Sequence, residues 1–389
     1  FQKLDMGPKS SIRVWVVILN GNKMIVITTR NFLPEIGGMQ VLMSDLAAHL
    51  SKFYKVKVFA EVSKDTKQFD ESQKYEIIRI KGIKFIRKFR KANQIQDLFL
   101  KNKNIIALIS DHWKSLEKIS KNTCLSSCTI CLIHGKEINH PKGSPLNIRM
   151  LNSLTKAKYV VANSEFTKNL AVEKGVNENK IITINPGTNI HENESLDENY
   201  AKKIFKNANP RIVAVCRLEK RKGLENTLLA LKNFQSKYEN FKFAIIGDGE
   251  EKENLKNLIK NLNLTQNIIL LQNMDTKLKN SLIKFADFFI MPSIQVGKSI
   301  EGFGISFLEA AKYGTASIGG IQGGSSDIIK NKNTGLLCDG NSHEDIYKSL
   351  MLIMENNNYK NFGDNAKIFA KQFAWENQIK KYIDLIKKN

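Results

Sequence analysis

Long apolar runs are the first thing missing: among the 389 residues there is no uninterrupted apolar stretch of about 18 or more, which argues against a membrane-spanning helix. Cysteine is sparse and odd in number. Cys124, Cys128, Cys131, Cys216 and Cys338 suit a reducing cytoplasm better than a disulfide framework. Cys128 and Cys131 form a C-x-x-C, but it lies in an apolar run, CTICLI, and has no second pair at zinc-finger spacing. It reads as a buried strand, not a metal site. Acidic residues are scarce beside basic ones, 38 against 60, giving a formal charge of +22. Such a surplus attracts polyanions such as phosphates, anionic lipid or nucleic acid, although much of it also reads as solvated surface. With no stacking-aromatic motif and no helix-turn-helix pattern, nucleic acid is not the expected partner.

What is present is enough for two cores. The chain is 42% hydrophobic, and its length suggests two domains at roughly 150 residues each. Residues 1–23 read as a leader or an appended segment ahead of a native start at Met24. A short signal peptide competes, since Lys9 and Arg13 stand at the head of the apolar run 12–19, but no small-residue cleavage site follows. Apolar, β-branched runs then recur at 25–29, 56–60, 76–80, 105–109, 129–133, 159–162 and 181–184. Between them, Met39, Leu42, Met43, Leu46, Ala47 and Leu50 keep the spacing of one helical stripe. A polar break spans 185–209, and the alternation restarts at 211–216, with further strands near 241–246, 268–271, 287–291 and 316–318 and helices such as 223–238 and 251–262. Alternating strands and helices imply parallel sheets covered on both faces. The fold class is therefore α/β, with two Rossmann-like doubly wound domains and a cleft between them: an acceptor-side domain over 24–190, a nucleotide domain over 191–370, and a terminal segment over 371–389.

Ligands of such sheets bind beyond the carboxyl ends of the strands, where most of the candidate residues fall. In EGFGISFLEAAKYG, Gly302 and Gly304 would allow close backbone approach, and a helix starting near Gly304 would offer free N–H groups to a phosphate. Glu301 and Glu309 would stand about 12 Å apart on a continuous helix. That is too far for a hydrolytic pair but suits two hydroxyl-bearing rings flanking a diphosphate. A solvated glutamate and an ordinary helix acid are the plain alternative. Arg217 and Lys222, in R-L-x-x-x-K-G after the strand at 211–216, could clamp a diphosphate and stabilise its departure; a surface basic loop is the competing reading. Gly37 and Gly38, between the first strand and its helix, and the Gly247-Asp248-Gly249 turn, which ends a strand, would line phosphates or merely turn the chain. His134, in CLIHGKE, ends an apolar strand and would face the cleft, unless it is a satisfied structural histidine.

Taken together, GGMQ, HGKE, NSEFT, R-L-x-x-x-K-G, GDGE and EGFGISFLE resemble the signature set of retaining GT-B glycosyltransferases of family 4, also called group 1, from about Met24 to the end of the chain. Among these, the pattern is most similar to phosphatidylinositol mannosyltransferase-like members. The resemblance implies that Arg217 and Lys222 bind the donor diphosphate, Glu309 the ribose and Glu301 the donor sugar. It places His134 beside the transferred sugar, and Gly37, Gly38, Gly247, Gly249 and the amides of Phe303, Gly304 and Ile305 at the donor. It also implies transfer of a hexose such as mannose with retention, from a nucleotide-diphosphate sugar to a glycan or lipid-linked acceptor in cell-envelope or lipopolysaccharide synthesis. No metal or other cofactor is implied, and no D-x-D motif contradicts this. The last helix, after Phe373, should pack back on the first domain. Nucleobase contacts near 272–274 would be made by backbone and leave the base unread. One departure is Gly320-Ile321-Gln322-Gly323-Gly324-Ser325-Ser326, which lacks the proline and glutamate usual after its paired glycines.

The acceptor side offers residues 82–93, where Lys84, Arg87, Lys88, Arg90 and Lys91 interleave with Ile83, Phe85, Ile86 and Phe89. A basic amphipathic segment of this kind can lie on anionic lipid, which places the enzyme in the cytoplasm with contact at the inner face of the membrane; a solvated helix is the alternative. A sugar-nucleotide epimerase or hydrolase on the same architecture, a basic nucleic-acid-binding protein and a silent nucleotide-binding scaffold are the rival readings.

Overall fold

The computed structural model describes residues 22–35, 37–190 and 194–388, so the leader reading for 1–23 lies outside the described residues but for its last two. The first sheet contains β1 (Met24–Thr28), β2 (Lys55–Glu61), β3 (Glu76–Ile80), β4 (Ile105–Ser110), β5 (Cys128–Ile133), β6 (Tyr159–Ala162) and β7 (Ile181–Thr183). They are parallel throughout, in the order β3-β2-β1-β4-β5-β6-β7. β5 is buried at all six positions, the consequence of helices on both faces, and this is why CTICLI carries no polar alternation. The second sheet holds β8 (Arg211–Val215), β9 (Lys242–Ile246), β10 (Ile268–Leu271), β11 (Phe288–Met291), β12 (Ala316–Gly320) and β13 (Gly335–Cys338), again parallel, in the order β10-β9-β8-β11-β12-β13. β13 was not among the expected strands. Its four residues begin with glycine, too short a run to stand out, and its pairing with β12 makes it a strand.

Each sheet has a switch point where its order reverses, between β1 and β4 in one and between β8 and β11 in the other. Crevices open there, beyond the carboxyl ends.

The stripe read from the sequence forms the helix Gly38–Leu50, with Leu42, Met43, Leu46, Ala47 and Leu50 in the core of the first lobe. The last helix, Trp375–Lys387, packs against it rather than on the second lobe, burying Trp375, Ile379, Tyr382 and Ile386 in that same core. The Trp375 ring stacks on His49 at 5.0 Å, and its Nε1 donates to Asp45 at 3.2 Å. The chain therefore passes between lobes twice, and the two passages are joined: Thr188 N–H donates to Phe373 O at 2.8 Å, and Trp375 N–H to Thr188 O at 3.1 Å.

Candidate active site

At the end of β8 the chain turns through Arg217-Leu218-Glu219 and a short 3-10 turn, Lys220–Lys222, before the helix Leu224–Phe234. The turn is fixed by GDGE, which follows β9. Leu218 N–H donates to Asp248 O and Glu251 N–H donates to Leu218 O, both at 2.9 Å. Gly247 is required here, since its φ is +154° and a Cβ would lie 1.8 Å from Cys216 O. The glycines of GDGE thus act first as a brace for the basic loop. Gly249, but not Gly247, also borders a cavity of about 570 Å³, lined by Arg217, Lys220, Arg221 and Asp248 from the second lobe and Lys136 from the first. The Arg217 side chain is 66% exposed, and among the described residues its ion pair is with Glu219 at 3.8 Å, so its guanidinium can take an anion in that cavity.

Lys222 behaves differently. Its side chain is 8% exposed and its ammonium donates to Glu301, whose Oε2 also accepts from Arg221 Nη1 at 2.9 Å. Burial by itself would raise the Glu301 pKa; Lys222 and Arg221 outweigh it and hold the carboxyl at about 2. Arg221 in turn donates through Nε to Glu219 at 2.8 Å. Burial opposes its charge, yet Glu301 and Glu219 raise its pKa. Sequence reasoning missed Arg221, which sits in an unspecified position of R-L-x-x-x-K-G.

Glu301 opens the EGFG loop, and the helix that follows begins only at Ile305, so the spacing drawn from a continuous helix does not apply across 301–309. Among the described residues, none accepts a hydrogen bond from the N–H groups of Phe303, Gly304 or Ile305, as a helix start leaves them. A Cβ at Gly38 would lie 3.5 Å from Ile305 Cδ1, so Gly38 of the first lobe faces this helix start across the groove. Gly37 sits just before the helix Gly38–Leu50, beside Gln40. Glu309, farther along, is 27% exposed in its side chain and accepts from Lys279 Nζ at 2.7 Å. It does not line the cavity that holds Arg217.

The lobes touch at Gly302. A Cβ there would lie 1.8 Å from His134 O, and its carbonyl accepts from Ser164 Oγ at 2.5 Å and Thr167 Oγ1 at 3.4 Å. Ser164 also caps the helix Glu165–Glu173, so NSEFT serves both as a helix start and as a clasp. The departing GIQGGSSD segment completes the contact: Gly324 N–H donates to Glu301 O at 2.9 Å, and Asp327 accepts from Glu165 N–H at 2.8 Å and Asn185 Nδ2 at 3.2 Å. Burial, opposed by those bonds, raises the Asp327 pKa.

His134 lies half-buried after β5. Its Nε2 is 2.8 Å from Asp111 O, an atom that only accepts, so Nε2 carries the proton and Nδ1 does not need one. Its backbone N–H donates to Glu137 at 2.6 Å, which explains the glutamate of HGKE. Asp111 and His112, which directly follow β4 at the switch point, were missed although a strand-end position marks them.

The basic segment is the helix Lys84–Lys101, but its cations do not form one outward row. Ala92 and Ile95 anchor it in the first lobe, and Lys91 beside them is buried, donating to Thr29 O at 2.7 Å. Arg87 turns to Glu61 at 3.4 Å. Ile83, Phe85, Ile86 and Phe89 stay exposed, with Lys88 Nζ over the Phe85 and Phe89 rings.

All five cysteines are free thiols, and burial pushes the Cys128 thiol up to about 11. Among the described residues no group of three or more His, Cys, Asp or Glu could hold a metal, and no helix is long and apolar enough to cross a membrane.

Known families match both lobes. Residues 36–192 match the model of Glycosyltransferase Family 4, and residues 197–369 that of Glycosyl transferases group 1. An uncharacterized glycosyltransferase of Methanocaldococcus jannaschii is 28% identical over 92% of this chain and 96% of its own. A GDP-mannose-dependent alpha-(1-6)-phosphatidylinositol monomannoside mannosyltransferase of Mycobacterium tuberculosis is 30% identical, over 34% of this chain and 35% of its own. In structure, Anabaena HepE in complex with UDP aligns with a TM-score of 0.78 at 16% identity, covering 94% of this chain and all of that one. Both lobes, their parallel sheets and these likenesses agree: the chain belongs to the group 1, family 4 glycosyltransferases and has the GT-B fold.

Proposed function

We propose that this glycosyltransferase moves a hexose, mannose or a similar sugar, from a nucleotide-diphosphate sugar to a glycan or lipid-linked acceptor in cell-envelope polysaccharide synthesis, with retention of configuration. The observation that carries the donor half is the exposed Arg217 guanidinium in the interlobe cavity, beside Lys220 and opposite Lys136. Support for a nucleotide donor comes from HepE, which holds UDP in its structure, and for mannose from the mycobacterial relative over a third of the chain.

On this reading, charge that develops on the leaving diphosphate meets Arg217, the free N–H groups of 303–305 and the Lys222–Arg221 pair that Glu301 keeps in place. Fixed donors of this kind stabilise a transition state because they need no reorganisation as charge appears. Glu301 stays ionised across the physiological range, and its carboxylate would hold the sugar hydroxyls; Glu309 would hold the ribose. His134, with its proton committed to Asp111 O, would present Nδ1 as an acceptor toward the sugar. The cations at the site are side chains, so the reading requires no metal. The exposed Ile83, Phe85, Ile86 and Phe89 with Lys88 would rest on the inner face of an anionic membrane.

A thermal-shift panel of GDP-, UDP- and ADP-sugars tests the donor, since a ligand of the folded state alone raises its stability. One class should shift the transition, and Arg217→Ala should abolish that shift. Failure of all three classes, or turnover to free sugar alone with every acceptor offered, would remove the reading.

A further inference from the structure

Glu309, the acid read as the ribose contact, stands on a helix whose other side is sealed. Phe307, Leu308, Ala310 and Ala311 of the helix Ile305–Lys312 are buried in the second lobe. The outward row is therefore Ile305, Glu309, Lys312 and, just past the helix end, Tyr313, at the i+3 and i+4 spacings that share a face.

Both ends of this row meet chain from outside the lobe's core. Ile305 lies against Gly38 of the first lobe, where an added Cβ would be 3.5 Å from its Cδ1. At the other end Lys312 Nζ donates to Glu194 at 3.2 Å, and Tyr313 Oη donates to the same carboxylate. Glu194 belongs to the passage between the lobes, after β7 and before the helix Glu198–Phe205. Glu309 is thus held between a first-lobe contact and a linker contact. Four helical residues advance about 6 Å, and helical side chains lean toward the N-terminus. The carboxylate therefore leans toward the free N–H groups of 303–305, at a separation like that between the 5′-phosphate and the ribose hydroxyls of one nucleotide.

One cation fixes its orientation. Lys279, on the neighbouring helix Thr276–Phe285, donates from Nζ to Glu309 Oε1 at 2.7 Å. Among the described residues none donates to Oε2. The next two residues of the same helix tie it to the linker: Asn280 Nδ2 donates to Glu194 at 3.3 Å, and Ser281 Oγ accepts from Asp197 N–H at 2.7 Å. Three consecutive positions thus grip the acid and the linker together. A partly exposed ion pair adds little to stability. What this one does is hold a rotatable side chain with one oxygen taken and the other open.

We propose that Lys279 is a positioning residue for the donor nucleotide: by holding Oε1 it presents Oε2 of Glu309 to the ribose hydroxyls. The proposal rests on the reading of Glu309 as the ribose acid. A freely turning carboxylate would be ordered at each binding event, at a cost in affinity; with Lys279 in place, that ordering precedes the ligand. Lys279 therefore acts on the nucleotide through its hydroxyls.

The test is a calorimetric titration of the full chain with the nucleoside diphosphate that the thermal-shift panel selects and with its 2′,3′-dideoxy counterpart. The ratio of the two affinities is the readout, because a change of charge or a loss of fold affects both ligands alike and cancels. The unaltered protein should prefer the ribonucleotide by about tenfold or more, and Lys279→Met and Lys279→Ala should each reduce that preference to about threefold or less. Their melting curves should change little, as for an exposed pair; if one variant does not fold, the other decides. Glu309→Ala should abolish the preference. A preference kept in the Lys279 variants but lost in Glu309→Ala overturns the role of Lys279 and leaves the ribose reading standing. A preference that survives Glu309→Ala, its absence from the unaltered protein, or failure of every nucleotide to bind removes the ribose reading and this proposal with it.

Discussion

The switch points of the two sheets share geometry and differ in electrostatics. Around β8 and β11 the buried acid, Glu301, is satisfied by charged side chains, Lys222 and Arg221. Around β1 and β4 the buried acid, Asp111, is satisfied by two backbone N–H groups and two hydroxyls. The first arrangement stores its positive charge in pairs and exposes one guanidinium, that of Arg217. The second satisfies its acid with uncharged donors alone. A shared fold thus fixes where ligands sit, while side-chain pairing decides how much charge is available to them.

The sharpest way to break this contrast is Glu301→Ala. It leaves the buried Lys222 without its acid and Arg221 with Glu219 alone, and should cost on the order of 3–5 kcal/mol of stability, read by denaturant unfolding. Asp111→Asn keeps the two bonds to its remaining oxygen and sets an NH2 against one backbone N–H, but it strands no charged partner and should cost less; an equal loss would erase the difference drawn between the sites.

Acid titration probes the same pair without mutation. Because the folded Glu301 pKa lies at about 2, below the ordinary 4.5, its contribution is complete above that ordinary value and disappears as pH falls through about 2. The full effect is on the order of 3 kcal/mol. Unfolding measured from pH 6 downward should show this dependence weakened in Glu301→Gln, and an unchanged profile would show that Glu301 is not the group responsible.

Arg217→Ala addresses the exposed cation. It should lower kcat/KM by about 100-fold, the scale of a lost transition-state donor, and shift stability by less than about 0.5 kcal/mol, as surface changes do. A large loss of stability would place Arg217 with the structural pairs instead.

The smallest effect should come from Ser164→Ala, which removes a helix cap and the bond to Gly302 O. About 1–2 kcal/mol is expected, with a rise in KM for the donor because the EGFG loop loses its hold on the first lobe. A KM unchanged at equal cost would show that the clasp serves the helix alone.

Much of the site was legible because strand ends are. Arg217 and Lys222 stand just past β8 and His134 just past β5, positions that mark them as ligand-facing in a parallel sheet. Asp111 and His112 hold the same place after β4 and carry the same mark. Arg221 escaped because one basic residue among four within six positions (RLEKRK) carries no sign of its partner, 80 residues away. The cations at 87 and 91 looked like their neighbours in the row, and only the seating of Ala92 and Ile95 turned them inward.

By itself the sequence determined the alternation of β-branched runs and amphipathic helices, hence two parallel sheets, since local backbone preference and burial on both faces act within short windows. The final helix was foreseen on the first lobe only through family likeness; its own residues do not say which lobe receives it. Tertiary structure alone decided which charges are spent on each other and which face the cleft. Pairing depends on distances between residues far apart in the chain, and burial raises the cost of leaving any one of them unmatched.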